Sequence, residues 1–149
     1  YGKKGSLEGF CSGGGIANLG MVLTVQQLQL GQPPSFCRSY AELPLITTEK
    51  ISKAARSGDP LALQVFELVG RELGRGLALL VDILNPERII IGSIYHRQRT
   101  LLEPIAIEML KDEALPEALQ VCHVLPSELG ENVGDLASLS VALNLLESK

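Results

Sequence analysis

Tryptophan is absent, and three phenylalanines and three tyrosines are the only large aromatics among 149 residues, so the chain has little material for an aromatic-rich pocket. Long hydrophobic runs are also missing: stretches such as Leu77 to Val81 fall far short of the about 20 residues a membrane span requires. No secretory signal is evident. Cysteine is sparse, with Cys11, Cys37 and Cys122 widely spaced and no CxxC pair, which excludes a disulfide framework and a zinc ribbon and predicts reduced, mostly buried thiols. His96 and His123 have no second ligand at metal-binding spacing, so neither is expected to hold a metal. Basic residues number 13 against 17 acidic ones, a net charge of −4, which leaves no electrostatic footprint for nucleic acid or an anionic membrane surface.

What is present fits a globular chain. A hydrophobic fraction of 46% with 20% charged residues argues against disorder and low complexity. A chain of 149 residues is one domain's worth and buries roughly 70% of its unfolded surface. It opens at Tyr1, inside the glycine-rich run Gly2-Lys3-Lys4-Gly5, and is therefore expected to be the tail of a longer protein.

Apolar residues Phe10, Ile16, Leu19, Val22, Leu23 and Val25 predict one or two helix pieces between Leu7 and Leu30, ended by Gly31 and Pro33-Pro34. Three prolines and two serines between Gln32 and Leu45 predict a mobile loop. Thr47-Thr48 offers a hydroxyl cap for a short helix through Arg56, and Asp59-Pro60 caps a long helix to about Asn85. In that helix Ala62, Phe66, Val69, Leu73, Leu77, Leu80 and Leu84 recur at steps of three or four and predict a continuous buried stripe. Gly70 and Gly74, one turn apart, each cost up to about 1 kcal/mol relative to alanine, which close approach of another backbone would compensate.

After Asn85-Pro86, Ile89-Ile90-Ile91 predicts a strand buried on both faces, as in a parallel sheet. Leu101 to Leu110 reads as a helix, Leu119 to Leu125 as a second strand and Val133 to Leu146 as a closing helix. The order is that of an α/β protein, with fewer strands than an ordinary sheet holds.

Four segments, in this order and spacing, resemble the ROK family of bacterial sugar kinases and sugar-responsive repressors. They are Gly2-Lys3-Lys4-Gly5-Ser6-Leu7-Glu8 with Ser12-Gly13, Gly58-Asp59-Pro60-Leu61-Ala62, Leu73 to Ala78 through Ile83-Leu84-Asn85-Pro86, and Ile89-Ile90-Ile91-Gly92. The resemblance covers essentially residues 1–149 and corresponds to the C-terminal part of the family's chain. It implies the C-terminal lobe of an actin-like, ribonuclease-H-like α/β ATPase, here helix-rich with few strands. It also implies that the phosphate-binding segment and the catalytic aspartate lie in an N-terminal lobe absent from this chain, so that no catalytic residue is expected here.

Glu8 matches the family's sugar-binding glutamate, since an ionised carboxylate accepts from two hydroxyls at once. The competing reading is a surface glutamate suited to a helix start. Gly92-Ser93 follows the first strand, where open α/β sheets place ligands and a residue without Cβ admits a nucleotide, so adenosine contact is expected. The family usually has two glycines there; a simple strand-ending turn is the alternative. Gly130 to Asp135 resembles the turn before the family's last helix, and its Glu131 and Asp135 would repel phosphate, so a capping role is expected. Gly13-Gly14-Gly15 lacks the GxxxxGK[ST] pattern and reads as a glycine hinge beside a helix. Tyr1 and Ser6 occupy the two cysteine positions of the family's CGxxGCxE zinc pattern, so no zinc is expected, and Cys11 is too far along to replace them.

These features point to the C-terminal lobe of a cytoplasmic, glucokinase-like kinase. It would transfer phosphate from ATP with Mg²⁺ to a hexose or amino sugar and form a homodimer, with no membrane or nucleic-acid contact through this segment. The alternatives are the sugar-sensing lobe of a ROK-type repressor and a ligand-free helical interaction domain.

Overall fold

The computed structural model describes residues 5–130 and 133–147. Ser12 splits the first helical stretch in two. Its backbone is extended, and its side chain accepts from the Gly15 N–H at 3.0 Å, so α1 (Leu7–Cys11) ends and α2 (Gly13–Gln29) begins at the same residue. Gly13-Gly14-Gly15 is thus the first turn of α2 rather than a hinge. A side chain at Gly15 would run into the Gly9 carbonyl, which is why the two helices can meet so closely.

The proline-rich segment that follows is anchored, not mobile as its composition suggested. The Ser35 N–H donates to Asp59 Oδ2 at 2.7 Å, Cys37 is fully buried, and Tyr40–Leu45 forms a 3₁₀ helix. Helix α3 (Thr48–Arg56) is capped by Thr47, while Thr48 Oγ1 donates to Gly13 O at 2.5 Å and ties α3 to the start of α2.

Helix α4 (Pro60–Leu84) is the spine of the fold. Asp59 caps it by accepting from the Ala62 N–H at 2.9 Å, with Pro60 at the first helical position. Asn85 ends it in the left-handed conformation (φ 44°, ψ 54°), a C-terminal device asparagine shares with glycine. Its buried stripe includes Ala62, Phe66, Val69, Leu73 and Leu77 as expected, but then continues through Ala78 and Val81. Leu80 and Leu84 are exposed instead, because at 3.6 residues per turn they lie beside the row that faces the core. Gly70 and Gly74 face α6 (Arg99–Glu113). A Cβ on Gly74 would stand 2.5 Å from Ala106 O, and one on Gly70 2.8 Å from Ile105 Cβ, so close helix contact does compensate both glycines.

Strands β1 (Arg88–Ile91) and β2 (His123–Pro126) pair in parallel, with Ile90 opposite Leu125. Between them run α5 (Ile94–Arg97), α6 and the single turn α7 (Pro116–Leu119). The second strand starts four residues later than expected, because Pro116 initiates α7, which takes in Leu119, the first residue assigned to the strand. Nor is β1 buried on both faces: Ile89 and Ile91 are half-buried against the helices, whereas Ile90 is 66% exposed. Helix α8 (Val133–Glu147) closes the chain. Of the expected turn before it, Glu131 lies outside the described residues, and Asp135 falls in the first turn of α8, where a negative charge suits the helix dipole. Among the described residues no helix is long and apolar enough to cross a membrane.

Candidate functional site

Three chain corners meet over α4 to enclose a groove of about 490 Å³. Helix α1 contributes Leu7, Glu8 and Cys11, the α1–α2 break contributes Ser12 and Gly13, and the end of β1 contributes Ile91, Gly92 and Ser93 with Ile94 and Tyr95 behind them. Leu73 of α4 and Leu102 of α6 complete the apolar part of the lining. Glu8 and Gly92-Ser93, 84 and 85 positions apart in sequence and singled out for separate reasons, therefore share one groove. The parallel sheet places it past the carboxyl end of β1, where ligands of open α/β sheets sit.

Glu8 is exposed in the first turn of α1, whose cap is Ser6 accepting from the Gly9 N–H at 3.0 Å. Because α1 has only five residues, the dipole it offers Glu8 is small, and the carboxylate makes no hydrogen bond or ion pair with the described residues. Its oxygens are available to hydroxyl donors.

Cys11, one turn further along, is half-buried. Burial, followed by the negative charges of Glu72 and Glu8, pushes its thiol up to about 12, so it stays a neutral thiol that contacts Val69 O. That is a poor state for a metal ligand or nucleophile. Of the other cysteines Cys37 is buried and Cys122 half-buried, so full burial holds for one of the three. Tyr1, one of the two residues standing at the family's zinc-cysteine positions, lies outside the described residues. Among the described residues no group of three or more His, Cys, Asp or Glu side chains converges as a metal site.

Ser93 has φ 52° and ψ −122°, the geometry of the first central residue of a type II′ turn, where glycine dominates. A serine there carries strain on the order of 1–3 kcal/mol. At Gly92 before it a Cβ would make ordinary contact, 3.6 Å from Ser127 Cβ, so the fold itself does not require glycine there.

Tyr95 is a lining residue that the sequence did not single out. Only 1% exposed, it directs its hydroxyl to Glu103 Oε1 at 3.3 Å, and Arg99 Nε holds the other carboxylate oxygen at 2.8 Å. Burial and then the Glu103 charge push the phenol up to about 12, so it remains a neutral donor. Its one clue in the sequence is its place two residues after the strand-ending corner. Leu7, Leu73 and Leu102 read equally well as core. Among the described residues the lining is apolar apart from Glu8, Cys11, Ser12, Ser93 and Tyr95.

The sequence model of the ROK family matches residues 2–144. The chain is 31% identical over 126 residues to the DNA-binding transcriptional repressor Mlc of Escherichia coli, covering 85% of this chain and 30% of that protein. It is 29% identical over 134 residues to a glucokinase of Halalkalibacterium halodurans, covering 89% of this chain and 39% of the glucokinase. Among solved structures it is similar to a ROK family glucokinase from Streptomyces griseus in complex with glucose and AMPPNP. There the TM-score is 0.69 at 26% identity, over 89% of this chain and 43% of the other. The chain thus spans between three-tenths and four-tenths of the curated relatives described.

Proposed function

This chain belongs to the ROK family, and we propose that it is the C-terminal lobe of an ATP-dependent kinase for a hexose or amino sugar. The observation that carries this reading is the single groove shared by Glu8 and Gly92-Ser93. Glu8 accepts hydrogen bonds from two sugar hydroxyls, an arrangement that favours a ring bearing vicinal hydroxyls. Gly92, bare of a side chain, lets the adenosine part of the nucleotide rest on the backbone beyond β1. Bound Mg²⁺ would neutralise charge on the transferred phosphoryl group. The family resemblance leaves the phosphate clamp and the catalytic base to the N-terminal lobe, and the isolated chain is expected not to phosphorylate sugar.

A second reading, the sugar-sensing lobe of a ROK-type repressor, is favoured by Ser93, a residue with positive φ where the family usually has a second glycine, and by the similarity to Mlc. Both readings use Glu8 in the same way. In the full-length protein, sugar affinity should fall from wild type to Glu8→Gln to Glu8→Ala. The alanine variant should lose about ten- to a hundredfold, because hydrogen bonds to a charged group contribute roughly 1.5–3 kcal/mol. Calorimetry that finds sugar affinity unchanged in Glu8→Ala would make Glu8 a surface residue and remove the reading. Hexose-dependent ADP production supports the kinase, whereas sugar-dependent release of operator DNA supports the repressor.

A further inference from the structure

Glu8 is carried by a helix too short to hold itself in place. Five residues make little more than one turn, which is not stable alone in water, and no residue of α1 is fully buried. Contacts with the neighbouring helices seat it instead. The Gly9 carbonyl lies against Gly15 of α2, Cys11 contacts Val69 O of α4, and Leu7 lies over Gly76 of α4. A Cβ on Gly76 would stand 2.6 Å from Leu7 Cδ1 and 3.1 Å from Leu7 Cδ2, so the leucine occupies the volume that a side chain would fill. Leu7 is the residue next to Glu8 in sequence, and both line the groove.

Gly76 itself is not part of that lining, although Leu73, three residues earlier on α4, is. It also differs from Gly70 and Gly74, whose obstacles in α6 are the branch point of Ile105 and the Ala106 carbonyl. What fills the space over Gly76 is the free end of a side chain, which can turn aside at little cost to the core. Glycine in the interior of a helix is unfavourable relative to alanine, and the seat it gives Leu7 is what this one contributes in return.

We propose that Gly76 is a positioning residue for the groove: by seating Leu7 it fixes the end of α1 and so sets where the Glu8 carboxylate stands relative to a bound sugar. This rests on the reading of Glu8 as the sugar-binding carboxylate. The effect passes through Glu8, so a substitution at Gly76 should cost no affinity once that carboxylate is gone.

The full-length protein is titrated calorimetrically with glucose and N-acetylglucosamine as wild type, Gly76→Ala, Glu8→Ala and the double variant, and each is also melted. Gly76→Ala should weaken whichever sugar the wild type binds by about three- to tenfold, less than Glu8→Ala does, because the carboxylate is displaced rather than removed. Its Tm should equal or slightly exceed that of wild type, since alanine favours the helix and the methyls of Leu7 can move. The double variant should bind no more weakly than Glu8→Ala alone, the non-additivity expected of two residues acting through one contact. Wild-type affinity in Gly76→Ala, with Glu8→Ala weakened, overturns the inference and leaves the groove reading intact. Losses that add in the double variant also overturn it, because Gly76 would then act by another route than Glu8. So does a lower Tm in Gly76→Ala, which would make the glycine a packing residue of the core. Unchanged affinity in Glu8→Ala, or a wild-type protein that binds neither sugar, overturns both.

Discussion

Replacing Gly74 by alanine tests the contact on which the whole core is built. In an isolated helix the change would be stabilising by up to about 1 kcal/mol, because alanine loses less backbone entropy than glycine. In α4 the new methyl would stand 2.5 Å from Ala106 O and 2.6 Å from Met109 Cβ. Neither is the free end of a flexible side chain, so α6 has to move outward as a unit. Overpacking of this kind costs typically 1–3 kcal/mol, and a backbone oxygen as the obstacle puts Gly74 toward the upper end. The two effects together predict a net loss of about 1–2 kcal/mol, or roughly 2–8 °C in Tm for a chain of this size. Since Leu102 of α6 lines the groove, the shift should also reach the site. Gly134→Ala in α8, where nothing lies within 4 Å of the added methyl, is the control and should leave Tm unchanged or slightly raised. Thermal unfolding followed by circular dichroism reads both variants. If Gly74→Ala melts at or above wild type, the close packing of α4 on α6 is refuted.

Two titratable groups give further expectations. Burial opposes ionisation of Asp59, but hydrogen bonds from Ser35 and from the backbone N–H groups of Ala62 and Leu61 outweigh it and hold the carboxyl below its usual value. A depressed folded-state pKa means that the contribution is complete above about pH 4, the unfolded value, and is lost as pH falls through the lower folded value. Asp59→Ala should therefore cost about 1–2 kcal/mol at pH 7, with the gap to wild type shrinking below pH 4, whereas Asp59→Asn should keep most of the cap; denaturant unfolding across pH checks both. Cys11, pushed up to about 12 by burial, Glu72 and Glu8, should alkylate more than about tenfold more slowly at pH 8 than a thiol with its ordinary value of 9.0, because its smaller thiolate fraction outweighs the greater nucleophilicity of a more basic thiolate; peptide mass spectrometry after timed iodoacetamide exposure would detect the failure of that expectation as rapid labelling.

Local chemistry was legible in the residues themselves. Asp59-Pro60 starts α4, Thr47 starts α3, Asn85 ends the long helix, and Gly70 and Gly74 announce a neighbour, because caps, prolines and glycines act within a turn of their own position. The parallel pairing of β1 with β2 is found, although burial of β1 on both faces, the reason for expecting it, is not. Boundaries set by competition were not legible: Pro116 claims for α7 the Leu119 that the sequence alone places in β2, and Ser12 decides for two helix pieces where the apolar spacing allowed one or two. Which leucines of α4 are buried depends on where α6 lies, so Leu80 and Leu84 read as core in sequence and stand exposed in the fold. Only the tertiary structure brings α1 beside the end of β1, across more than 80 residues, and so makes one groove of Glu8, Gly92 and Ser93. The positive φ of Ser93 was equally hidden, since a serine's letter carries no record of the turn that the strand, the helix after it and the groove impose on its backbone.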